Sequence, residues 1–141
     1  MRFLRLLVIV DFGIPVMKSS YDIEVSVEAA YLPEQSEPAD ARYVFSYTIT
    51  LINRGAMTAQ LKSRHWIITD ADNKVEEVKG DGVVGEQPIM KPGEGFRYTS
   101  GAVIETPVGT MQGSYQMVAE DGCEFDADIP RFVLSIPRVI H

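Results

Sequence analysis

The sequence predicts an all-β fold, an antiparallel β-sandwich of about seven or more strands. Three observations carry that prediction. Apolar residues recur at every second position through most of the chain. Glycine and proline turns punctuate these runs at regular intervals. No stretch of ten residues sustains the 3.6-residue period of an amphipathic helix. The chain has 141 residues, which suits one domain. By area scaling, roughly two-thirds of the unfolded surface is buried on folding, enough for a core without disulfides or metal.

The elements follow in order. Residues 1–16 stand apart: Arg2 and Arg5 precede a short apolar run, Leu6 to Val10, which Asp11 breaks. The run is too short to cross a membrane and lacks a small-residue cleavage site. It reads as an extension outside a domain of residues 17–141, with Met1 or Met17 as the start. From Tyr21, the residues Ile23, Val25, Val27, Ala29 and Tyr31 alternate with polar ones, the mark of a strand with one wet face. Pro33 to Asp40 reads as a polar, mobile loop. Tyr43 to Ile52 alternates again, with a second face that is also fairly apolar, so this strand is expected at the centre of a sheet. Asn53-Arg54-Gly55 is a turn, and a third strand runs from about Ala59 to Thr69 with the sole tryptophan, Trp66. Asp70 to Asn73 reads as a hairpin turn, because Asx residues favour turns. Lys74 to Lys79 is a short strand that leads into a glycine stretch. Further strands are expected at Phe96 to Ile104, at Met111 to Ala119 and, as one or two pieces, at Phe125 to Ile136. Glu105 to Gly109 and Asp121-Gly122 connect them.

Two details favour the immunoglobulin or fibronectin III style of sandwich. Trp66 falls on the third strand, where such folds bury an aromatic, and Gly113-Ser114-Tyr115 has the look of a tyrosine corner. In that corner the Tyr115 hydroxyl is expected to bond to backbone.

Charge and composition exclude several functions. The net charge is -7, so the surface repels phosphate backbones, and nucleic acid is not an expected partner; neither is a membrane. The single cysteine, Cys123, permits no internal disulfide, which fits a reducing compartment, the cytoplasm. Its acidic neighbours, Glu120, Asp121 and Glu124, argue against a reactive thiol. With two histidines and one cysteine no zinc spacing exists. Asp70-Ala71-Asp72-Asn73 begins like a calcium loop but lacks the later glycine and glutamate. Glu76 and Glu77 are adjacent strand residues and point to opposite faces. Ser100 has no histidine or acid at a recognisable motif distance, so a hydrolase triad is unsupported. Arg64 shares a strand face with Trp66 and Ile68, where it pairs with an acid or faces a partner. No catalytic set, no metal site and no cofactor emerges.

The glycine stretch Lys79 to Glu86 contains G-x-G-x-x-G at Gly80, Gly82 and Gly85. A dinucleotide fingerprint needs a helix after it, to point N–H groups at the pyrophosphate. Pro88, Pro92 and Gly93 forbid that helix, and the lysine and hydroxyl of a phosphate-binding P-loop are missing. The structural reading is an inter-strand crossing or bulge. The ligand-binding alternative is an anion nest of backbone N–H groups at Gly80, Gly82 and Gly85, assisted by Lys79.

Several segments carry a family resemblance: Arg42 to Ile49, Arg64 to Thr69, Gly80 to Pro88, Tyr98 to Pro107 and Gly109 to Tyr115. Together they strongly resemble the ApaG (CorD) family of bacterial proteins, over about Tyr21 to His141. The resemblance implies a fibronectin III-like sandwich. The family's names link it to diadenosine tetraphosphate genes and to cobalt and magnesium handling, with no established reaction. Related domains occur in eukaryotic F-box proteins and in a DNA-polymerase-delta-interacting protein, which implies an interaction module. The family's glycine motif, suggested as a pyrophosphate site, falls here on Gly80, Gly82 and Gly85. The resulting expectation is a non-enzymatic module that binds an unidentified protein. The alternative is a nucleotide or pyrophosphate held at Gly80 to Gly85, with an indirect link to cobalt and magnesium.

Overall fold

The computed structural model describes residues 19–137; the expected extension at residues 1–16 lies outside them. Eight strands form: β1 Ile23–Tyr31, β2 Tyr43–Asn53, β3 Ala59–Asp70, β4 Val75–Asp81, β5 Ile89–Met90, β6 Gly95–Ile104, β7 Val108–Ala119 and β8 Glu124–Ser135. They build two antiparallel sheets, one in the order β1-β2-β6, the other β4-β3-β7-β8 with short β5 also on β3. This is the all-β sandwich that the alternation predicts. β2 lies between β1 and β6, the central place the sequence predicts for it.

The core lies between the sheets. β2 contributes Phe45, Tyr47, Ile49 and Leu51, every second residue, all turned inward. β3 cannot keep one phase along its length, because its register with β7 shifts between Leu61 and Ser63. Ala59 and Leu61 are buried before the bulge, Trp66 and Asp70 after it, so the inward set passes from odd to even positions. A second shift, between Met111 and Gly113, bends β7 against β8. Gly113 is there because a Cβ would lie 2.0 Å from the His65 carbonyl oxygen on β3.

Two features differ from their sequence readings, the Pro33 to Asp40 segment and the tyrosine corner. Pro33 to Asp40 is not a featureless loop. It holds two single 3₁₀ turns, Pro33–Gln35 and Pro38–Asp40, folded back on β2. Buried Ser36 fixes it there, donating to the Leu32 carbonyl at 2.7 Å and accepting the Val44 N–H at 2.9 Å. β8 is one continuous strand, in keeping with the reading of one or two pieces there. The tyrosine corner does not form: the Tyr115 hydroxyl bonds to the Tyr98 hydroxyl of the opposite sheet, not to backbone. The Asp70 to Asn73 turn matches its reading, since Asp70 Oδ1 accepts the N–H groups of Asp72 and Lys74. The Asn53 turn is fixed by its buried side chain, whose amide donates to the Met57 and Met90 carbonyls.

Candidate functional site

The two flanks of the sandwich are built differently. On one flank β1 runs beside β8. On the other, β4 and β6 face each other without pairing, and a cleft of about 330 Å³ enters between the sheets. Its cause is local. The β6 residues along the opening are Ser100, Gly101 and Ala102, too small to close it. Tyr47 and Trp66 form its aromatic floor, with ring centroids 5.2 Å apart. Arg64 and Glu76 stand at its two ends, and Val78 and Val103 line its sides. Trp66 is 2 % exposed, and its buried indole N–H has no acceptor among the described residues.

Arg64 settles its open alternative in an unexpected way. It pairs with no acid among the described residues. Its Nη1 donates to the backbone carbonyls of Asp81 and Gly82, each at 3.0 Å. The guanidinium lies over Gly80, where a Cβ would come within 2.8 to 2.9 Å of its atoms. Gly80 is therefore a seat for a side chain from the neighbouring strand.

The other glycines have separate reasons. Gly80 and Asp81 belong to β4, paired with Arg64 and Ser63, so the strand runs further than Lys79. Beyond it the Gly82 N–H bonds to the Lys62 carbonyl. Val83 and Glu86 exchange both backbone bonds, at 2.8 and 2.9 Å, around Val84 and Gly85. Val84 and Gly85 have φ of 43° and 82°, positive at both central positions, as in a type I′ hairpin turn. At Gly82, φ is 62° and a Cβ would lie 2.3 Å from the Glu86 carbonyl oxygen. Within the Gly80 to Gly85 stretch the N–H groups of Gly82 and Val83 thus have partners within the chain, as does that of the adjacent Glu86. Lys79 is exposed on the outer face, 3.8 Å from Glu77.

The remaining singled-out residues fall into place. Glu77 meets His65 Nε2 at 2.5 Å on the outer face while Glu76 lines the cleft, so the adjacent acids do point apart. Among the described residues no three His, Cys, Asp or Glu side chains converge. Cys123 sits half-buried beside the Asp121-Gly122 turn. Ser100 lines the cleft. Sequence reasoning missed the buried hydroxyl pair of Tyr98 and Tyr115. Burial pushes both pKa values well above the ordinary tyrosine value, and the nearby Arg64 charge opposes this. The signal for the pair is only that both residues are inward-facing in their strands.

Fold and flank together define a class, a fibronectin III-like β-sandwich with an open edge. A family model described as the ApaG domain matches residues 33–119. Protein ApaG of Thiobacillus denitrificans is 68% identical over 121 residues, which span 86% of this chain and 95% of the relative. Protein ApaG of Nitrosospira multiformis is 63% identical over the same span. A crystal structure of a Bordetella pertussis protein described as ApaA superposes with a TM-score of 0.84 at 50% identity, covering 87% of this chain and all of the other. The chain belongs to the ApaG domain family, in agreement with the resemblance its motifs carry.

Proposed function

We propose that this chain is a non-enzymatic binding module that takes a protein partner by strand addition at β6. One observation carries the reading. β6 is ten residues long, pairs only with β2 among the described residues, and has no charged residue from Tyr98 to Ile104. An edge of this kind offers a row of unpaired backbone groups, and proteins that avoid pairing blunt such edges with charge, proline or bulges. The facing edge, β4, is blunted in that way by Glu76, Glu77 and Lys79. Val103, 43 % exposed on β6, gives an entering strand an apolar contact. The lone cysteine supports a reducing compartment such as the cytoplasm.

The test is capture of partner proteins by the full chain and by a Val103→Lys variant, which places an edge charge without touching the core. Retention of the same proteins by both would contradict the assignment to β6. The alternative, a nucleotide or pyrophosphate at Gly80, Gly82, Gly85 and Lys79, has less support because three of the turn's N–H groups are bonded internally. Amide shifts in Val84 and Gly85 on adding millimolar nucleotide with Mg²⁺ would revive it.

A further inference from the structure

We infer that the β4/β6 cleft selects the sequence of the added strand, taking an antiparallel segment of the pattern basic-x-apolar-x-acidic. The inference rests on strand addition at β6 and deepens it. A strand laid beside β6 turns alternate side chains toward the inter-sheet space. There the space is empty, because Ser100, Gly101 and Ala102 leave the cleft unfilled.

The cleft is polarised along its length. Arg64 lies at the Tyr98 end of β6, close enough to act on the Tyr98 and Tyr115 hydroxyls. Glu76 lies at the other end, with Val103 and Ile104. Neither Arg64 nor Glu76 has an ion-pair partner among the described residues. Lys74, which lines the same hollow as Glu76, is held by Glu105 at 2.6 Å. Arg64 faces Gly80 across the β3/β4 ladder and Ile68 faces Glu76, so the two charges are four positions apart. At about 3.3 Å per residue that separation is about 13 Å. An added strand spans it with residues i and i+4, and residue i+2 lies over Tyr47 and Trp66. Antiparallel to β6, such a strand runs from the Glu76 end to the Arg64 end. Its basic residue therefore comes first and its acidic residue last.

The experiment is an amide-shift titration of the full chain with two capped heptapeptides, Thr-Lys-Thr-Val-Thr-Glu-Thr and Thr-Glu-Thr-Val-Thr-Lys-Thr. The first is expected to shift amides of β6 and to bind about fivefold more tightly than the second, the size of two partly exposed charge pairs. In a Glu76→Lys variant, whose exposed site leaves the core intact, that preference is expected to vanish. Equal binding of the two peptides at β6, or a preference that survives Glu76→Lys, overturns the selectivity while strand addition stands. Shifts confined to residues outside β4 and β6, or no shift at millimolar peptide, overturn both.

Discussion

The two flanks of the sandwich solve one problem in opposite ways. Where β1 meets β8, large side chains close the seam. The Tyr21 ring stacks on Phe125 with centroids 5.3 Å apart, and its hydroxyl donates to Asp121 at 2.5 Å. Where β4 meets β6, the β6 residues Ser100, Gly101 and Ala102 are small, and the inward aromatics Tyr47 and Trp66 are left beside an opening. The same two sheets thus carry a sealed flank and an open one. Side-chain volume at a few edge positions decides which is which, while the core between them stays continuous.

The largest expected effect comes from removing the floor that both flanks share. Trp66→Ala deletes a fully buried side chain packed against Tyr47, Tyr115 and Phe132. A loss of about 3–5 kcal/mol in urea unfolding is expected. A much smaller loss would mean that the open flank collapses to refill the space.

Next is the hydroxyl pair that ties the sheets behind the cleft. Tyr115→Phe leaves the Tyr98 hydroxyl buried without its partner and is expected to cost about 1–3 kcal/mol. The double variant Tyr98→Phe with Tyr115→Phe is expected to cost less than the two single losses summed. The pair also sets an alkaline limit. Both pKa values are raised by burial, so the folded chain holds its protons when the unfolded chain releases them. This stabilisation is complete below about pH 10 and declines as pH rises above it. Unfolding midpoints measured from about pH 9 to 11 should fall in the wild type and fall less in the double variant.

At the glycine turn on the open flank, Val84 is a β-branched residue at positive φ and exposed. Val84→Asn is expected to stabilise the chain by about 1 kcal/mol in thermal unfolding, since Asn tolerates this conformation. On the sealed flank the expected change is smaller and local. The Tyr21 hydroxyl, hydrogen-bonded to Asp121, holds that carboxyl below the usual range. Such a depressed group contributes stability above the unfolded pKa of about 4 that is lost as pH falls through its folded pKa. In Tyr21→Phe the Asp121 midpoint, followed by carboxyl chemical shift, should rise toward the ordinary value.

The strands were legible because one wet face leaves a period-2 pattern, and Trp66 and the central β2 were legible from apolar content. The cleft was not legible. The bulge between Leu61 and Ser63 reverses the inward phase of β3, and alternation alone cannot reveal such a reversal. Arg64 and Gly80 are 16 positions apart, and their contact depends on the β3/β4 register. The glycine spacing suggested a ligand, whereas each glycine answers a different steric demand: a guanidinium over Gly80, a carbonyl against Gly82, and a positive φ at Gly85. The Tyr98 and Tyr115 pair joins two sheets, and no local pattern marks it.

The open flank as the partner face is the central claim, and one comparison tests it directly. Val103 on β6 and Val133 on β8 are 43 % and 58 % exposed and lie on opposite edge strands. A photo-reactive residue placed at each in turn in the full chain, followed by irradiation in cells, reads which edge meets a partner. Cross-linked protein from position 103 and none from position 133 is the predicted result. Cross-linking at 133 alone, or equally at both, would contradict the account.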